Sequence, residues 1–217
     1  MNSPSKGSQI LDGVEYTYSS QWIHQLEGEE HWRSYWHQLG FLLPHLKKED
    51  RILEIGPGSG FLRNYLTAKG YQVTTLDIDE AKSPDIVANI VTYEFPDVYD
   101  HILAFEVFEH IPYEKFLEVL ARVRTSVRKS LFLSIPSNHR IWVHAELVLP
   151  LIKHVTFSLK TKRHRLVASN HFWELAYRGH TEKKLLGDIR AAGFQAVSKK
   201  KVKTLRFFRI EPQGSSS

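Results

Sequence analysis

The chain of 217 residues has no cysteine. Disulfides, thiolate metal sites and a cysteine nucleophile are therefore excluded together, and the fold must stand on packing. No stretch approaches the roughly 18 uninterrupted apolar residues of a membrane span. The most apolar one, IWVHAELVLPLI at 141–152, is broken by His144, Glu146 and Pro150. The opening MNSPSKGSQ lacks the apolar core of about 7 to 15 residues that a signal peptide requires. These absences lead to the expectation of a cytoplasmic protein with no transmembrane segment, although contact with a membrane surface stays open. Internal repeats are missing too. The 12 histidines show neither H-x-x-x-H nor H-E-x-x-H spacing, so no metal site is expected.

What is present suits one well-buried core: 42% of the residues are hydrophobic. The expected layout is a disordered tail over 1–13, one domain over 14–210, and a second tail over 211–217. The net charge of +5 is concentrated in KTKRHR (160–165) and SKKKVKTLRFFR (198–209). An anionic partner is compatible with this, but a solvated basic face is the better reading, since lysines also guard sheet edges.

Trp32, Tyr35, Trp36, Leu39 and Leu43 recur at spacings of three and four, which predicts a helix over 29–43 with an aromatic face in the core. RILEIG (51–56), YQVTTLD (71–77), DIVAN (85–89), DHILAFE (100–106) and SLFLSIP (130–136) read as strands, most of them almost wholly apolar. Strands buried on both faces have that look, which points to a parallel sheet between helical layers. The link from Asp77 to Asp85 is too short for an ordinary parallel crossover, so its helix is a single turn or one strand assignment is wrong. Pro112 opens a helix bearing Phe116, Leu120, Val123 and Val127, and Thr181 caps another that ends at Gly193. FQAVSKKKVK and TLRFFRIEP complete the sheet as an antiparallel edge hairpin. The fold class is therefore α/β and Rossmann-like, with seven mostly parallel strands and helices on both faces.

The stretch ILEIGPGSGF (52–61) then requires an explanation. In open α/β sheets the first strand-to-helix turn, at the carboxyl ends of the strands, is the usual ligand cradle. Glycine there lets backbone approach ligand closely. A dinucleotide fingerprint needs its third glycine one residue later, where this chain has Phe61. Glu54 inside the strand, the turn Gly56-Pro57-Gly58-Ser59-Gly60, Asp77 ending the second strand and FEVFEHIP after the fourth together resemble the class I S-adenosylmethionine-dependent methyltransferases, of the small-molecule kind. The likeness covers residues 50–136, and more loosely 171–194.

The resemblance implies S-adenosylmethionine as cofactor. Its glycine turn would pass under the methionyl and ribose portions, with Glu54 toward the amino group and Asp77 accepting from the ribose hydroxyls. Asp79 is the rival carboxylate. Ile78 would pack on the adenine, Asn89 would accept from its amino group, Ile90 would also belong to the cofactor site, and Phe105 and Glu106 would line the methionyl part and the acceptor. If a base is needed, the resemblance favours His171 and then His110, with His139 and His180 as further candidates. Residues 137–180 are expected to cover the substrate, and Tyr18 and Trp22 to close from the other side. The implied activity is methyl transfer to oxygen or nitrogen of a small, amphipathic or anionic acceptor. RNA methylation and a binding-only relative are the alternatives. The chain has no N/D-P-P-Y/F tetrapeptide after the fourth strand, so nucleic acid is the less favoured partner. Nothing in the sequence sets the oligomeric state.

Overall fold

The computed structural model describes residues 6–19, 28–147 and 155–214. Its first residues correct the expected tail: β1 (Lys6–Leu11) and β2 (Val14–Ser19) pair as an antiparallel hairpin. Asp12 and Gly13 both take positive φ, 52° and 75°, as a two-residue hairpin turn demands. Tyr16 is buried against the main core and fastens the hairpin there. Trp22 lies outside the described residues.

Helix α1 (Glu29–Leu42) buries Gln38, Phe41 and Leu42, not the tryptophan face. Trp32 and Trp36 are 51% and 74% exposed. After it come β3 (Arg51–Ile55), α2 (Phe61–Ala68), β4 (Gln72–Asp77), β5 (Ile86–Val87), β6 (Tyr99–Phe105), α3 (Tyr113–Ser126) and β7 (Val127–Pro136). A second hairpin, β8 (His139–Leu147) with β9 (Val155–Lys162), precedes α4 (Glu182–Ala191), β10 (Phe194–Val202) and β11 (Leu205–Pro212). Where a tail was expected from residue 211, β11 continues to Pro212.

The main sheet has seven strands in the order β10-β11-β7-β6-β3-β4-β5. β3 to β7 are parallel, and β11 runs antiparallel to both its neighbours. Alternation explains the nearly all-apolar strands. Leu53, Ile102, Leu131 and Leu133 face the layer of α3 and α4, while Ile52, Leu103 and Phe132 face Phe41 of α1 and Leu66 of α2. Both faces of each central strand are thus removed from water.

The short link after β4 contains only a 3₁₀ turn at Glu80–Lys82, and β5 shrinks to two residues. Asp85 holds this connection: its carboxylate accepts from the Thr75 N–H and hydroxyl, each at 2.7 Å. Thr181 caps α4 by accepting from the Lys184 N–H. In the β8–β9 hairpin, Val143 pairs with Leu159, Ala145 with Phe157 and Leu147 with Val155. These pairs share one face, and Val143, Leu147, Val155, Phe157 and Leu159 are all exposed on it. Residues 148–154, with the rest of the apolar stretch, lie outside the described residues. No described helix is long and apolar enough to cross a membrane.

Candidate active site

A cavity of about 740 Å³ opens at the carboxyl ends of β3, β4 and β6. Its lining includes α1 residues such as Ser34 and Tyr35 and the β10–β11 turn at Lys203 and Thr204. Gly56, Pro57 and Gly58 form part of its floor. Gly56 has φ +68°, donates its N–H to Leu76 O at 2.8 Å, and leaves no room for a Cβ, which would stand 2.7 Å from Val107 Cγ2. Only glycine meets both conditions.

Gly60, also at positive φ, occupies the N-cap of α2. Ser59 is tied down by a hydrogen bond with the Tyr35 hydroxyl at 2.9 Å and accepts from the Phe61 N–H at 3.2 Å. Phe61 stacks on Tyr35 with ring centroids 4.3 Å apart. The residue that breaks the dinucleotide fingerprint therefore binds the glycine turn to α1. This is where the aromatic face of α1 goes: Trp32 also meets Phe61 edge to face.

Glu54 is buried at the cavity wall, and its Oε2 has no hydrogen-bond partner. Burial pushes its carboxyl up to about 8, against the opposing pull of Arg63. Asp77 is buried too, and Lys82 Nζ reaches both of its oxygens, at 3.1 and 3.0 Å. Lys82, which the sequence did not single out, lines the cavity beside it. Asp79 turns away to accept from the Ala81 N–H as the cap of the 3₁₀ turn. The geometry thus brings Asp77 and not Asp79 to the cavity.

Ile78, Asn89 and Ile90 line the same end. The Asn89 oxygen already accepts from the Val91 N–H at 2.9 Å, leaving one lone pair. Phe105 and Glu106 line the opposite end. Glu106 has φ +55°, and its N–H is held by the Ser134 carbonyl and hydroxyl at 3.1 Å each. Its side chain accepts from the Ser34 hydroxyl at 3.4 Å. Although water reaches it, the surrounding protein still raises its pKa.

Both leading histidines line the cavity at this end. His110 ends a 3₁₀ turn (Phe108–His110), and burial, aided by His171, pushes its imidazole down to about 4. His171 Nδ1 lies 2.7 Å from Glu174 Oε1. Glu174 is fully buried and also accepts from Asn138 Nδ2 at 2.5 Å and the Val167 N–H at 2.6 Å. Burial alone would raise its pKa, but these three bonds bring it below the ordinary value. His139 and His180 stand elsewhere: His139 bonds Ser137, and His180 packs on Tyr113 and Trp173.

Glu109 belongs to the FEVFEHIP run that leaves the end of β6. It is 1% exposed, its Oε2 lacks a partner, and its pKa is raised well above normal by burial and then by Glu106. Ligand-capable atoms of Glu109, His110 and His171 lie within 4.8 Å of one another. Sequence spacing hides this cluster because the fold, not a helix repeat, brings His171 to His110. A faint signal was there: two acids and a histidine crowd into one turn of FEVFEH.

Comparison with known proteins agrees with this geometry. Over 58 residues the chain is 34% identical to the ribosomal RNA small subunit methyltransferase A of Francisella tularensis subsp. novicida, a match covering 27% of this chain and only 22% of that relative. The fold is shared with the magnesium protoporphyrin IX methyltransferase of Synechocystis PCC 6803, solved with bound S-adenosylmethionine, at TM-score 0.60 and 12% identity over 89% of this chain and 85% of that one. It is shared also with the Burkholderia thailandensis 1,6-didemethyltoxoflavin-N1-methyltransferase, at TM-score 0.53 and 13% identity over 97% and 99% of the two chains. The family model described as a methyltransferase domain matches residues 23–199. With most of its length under that model, the chain belongs to the methyltransferase domain family.

Proposed function

We propose that the protein transfers a methyl group from S-adenosylmethionine to an oxygen or nitrogen of a small molecule with an apolar and an anionic part. The observation that carries this reading is Glu54, a buried carboxyl group with an unpartnered oxygen on the wall of a roomy cavity. A cationic amino group is the partner such an acid lacks, and the methionyl end of the cofactor has one. The rest of the donor set fits as well. Asp77 offers carboxylate oxygens to a ribose diol, Ile78 and Ile90 offer apolar surface to a base, and Asn89 keeps one free acceptor position.

When bound, the cofactor supplies an electrophilic methyl group on a sulfonium. The protein's part is to hold an acceptor in line with it and to keep water out. Phe105, Glu106, His110 and His171 border the cavity where that acceptor would sit. The described part of 137–180 acts as its cover: Ala168, Asn170 and His171 line the cavity, and Lys160 of β9 donates to Lys203 O, fastening the second hairpin to the turn that walls it. The hairpin's exposed apolar face, with Arg140, Lys160 and Lys162 near its base, suits an amphipathic, anionic acceptor.

Calorimetry with S-adenosylhomocysteine tests the reading. Saturable binding is expected, weakened about 30-fold by Asp77→Ala, on the order of 2 kcal/mol for a lost charged hydrogen-bond acceptor. Absence of binding at millimolar ligand sinks it. A second reading, RNA methylation, is favoured by one observation: Lys160, Lys162, Lys201 and Arg206 gather around His139 and, after burial, lower its pKa. Steeply salt-dependent RNA retention would support that alternative.

A further inference from the structure

We propose that Glu109, His110 and His171 bind a divalent first-row metal ion at the acceptor end of the cavity, and that the acceptor's reacting group is a hydroxyl held on that ion. The cation site stands on the side chains alone; the acceptor assignment rests on the methyl-transfer reading.

The three ligand atoms lie within 4.8 Å of one another. Small side-chain movements bring them to the roughly 3 to 3.5 Å separation of groups sharing one cation. Two imidazoles and a carboxylate are a donor set that suits a first-row divalent ion better than magnesium. Three protein ligands also leave coordination positions open for a substrate oxygen.

Three observations besides proximity point to a ligand. Glu109 Oε2 is buried without a hydrogen-bond partner, and a buried carboxylate oxygen left bare is an anomaly that a cation removes. His110 Nδ1 lies 3.3 Å from the carbonyl of Asn170. A carbonyl only accepts, so Nδ1 carries the proton and the lone pair is on Nε2. His171 Nδ1 faces Glu174, held as the carboxylate by Asn138 and the Val167 N–H, so its lone pair is also on Nε2. Both histidines are thus fixed in the ligating tautomer by an outer partner, one a carbonyl and one a carboxylate, the arrangement that surrounds metal-bound imidazoles. Glu106 stands beside the cluster as a further oxygen donor.

An acceptor hydroxyl on such an ion releases its proton to water more readily, because the cation stabilises the oxyanion. This favours oxygen over nitrogen as the methylated atom and relieves the histidines of acting as bases.

The test is titration of untagged, EDTA-dialysed full-length protein with Co²⁺, followed by visible absorption, alongside calorimetry with S-adenosylhomocysteine. One equivalent is expected. His110→Ala and His171→Ala should each weaken Co²⁺ binding at least 100-fold, and Glu174→Gln, a positioning change, about 10-fold. Retained S-adenosylhomocysteine binding establishes that the variants are folded. No saturable Co²⁺ uptake by the wild-type protein at millimolar metal overturns the site, even where S-adenosylhomocysteine binds. So does unchanged uptake by His171→Ala. Loss of S-adenosylhomocysteine binding with Co²⁺ uptake intact instead strikes the methyl-transfer reading. If EDTA-treated protein methylates its acceptor as fast as protein resupplied with Mn²⁺, the hydroxyl assignment falls.

Discussion

His171 Nδ1 and Glu174 Oε1 lie 2.7 Å apart, on residues three apart in the chain, and Glu174 is wholly shut off from water. Removing the carboxylate leaves His171, Asn138 and the Val167 N–H without their acceptor. Glu174→Ala is therefore expected to destabilise the fold by about 3 kcal/mol, measurable by urea denaturation.

The same pair sets an acid limit. The folded pKa of Glu174 is depressed below 4.5, so its contribution to stability is complete above about pH 4.5 and is lost as pH falls through the folded value. The melting temperature of the wild-type protein should drop more steeply below pH 4.5 than that of Glu174→Gln. Parallel curves in scanning calorimetry would contradict this.

Glu54 works in the opposite sense. Its folded pKa of about 8 lies above the ordinary 4.5, so the folded state loses stability as pH rises between these values. Glu54→Gln should melt higher than wild type at pH 9, while binding S-adenosylhomocysteine more weakly. Binding by the wild-type protein near pH 7 should release close to one proton, since an ammonium partner favours the carboxylate. Calorimetry in buffers of different ionisation enthalpy reads that number.

Gly56→Ala meets both a positive φ and a Val107 methyl at 2.7 Å. A loss of about 2 to 3 kcal/mol in stability is expected, with cofactor binding weakened beyond detection. Adding Val107→Ala should recover part of the stability, because it removes the steric contact and leaves the dihedral strain. Full recovery in the double variant would show that φ is unimportant.

At the far ends of the strands, Asp50 is buried between His101 Nε2, at 3.1 Å, and Lys129. Asp50→Ala should cost about 2 kcal/mol, because the buried His101 Nε2 loses its hydrogen-bond partner, while half-exposed Lys129 keeps Asp100 at 3.3 Å. Binding of S-adenosylhomocysteine, at the opposite end of the sheet, should stay within about twofold at a temperature where the variant is folded.

Much of this architecture was readable in advance because it rests on local chemistry. Apolar strand runs, the glycine turn, Pro112 before α3 and Thr181 at the cap of α4 each act within a few residues. The acid Asp77 was readable because a strand end fixes where its side chain starts. What escaped depends on distant partners. Hydropathy assigns Trp32 and Trp36 to a core, yet α1 is rotated so that Phe41 and Leu42 reach the sheet, Trp32 stays against Phe61 and Trp36 faces solvent. Nothing local marks Glu109 and Glu174 as buried, since only tertiary partners make a buried acid tolerable. The β1–β2 hairpin is a different kind of miss. Its Asp12-Gly13 turn signal was present, but the polar composition around it suggested a tail.

The position of β11 bears on how the protein is made. This strand, the last of those described, inserts between β7 and β10 and buries Phe207, Phe208 and Ile210 on the two sides of the sheet. A nascent chain can pair β3 to β7 as it emerges, but both core layers stay open until β11 has been made. The sheet is thus completed only when β11 docks, and a chain cut before Leu205 should be a substrate for chaperones and proteases, not a smaller enzyme.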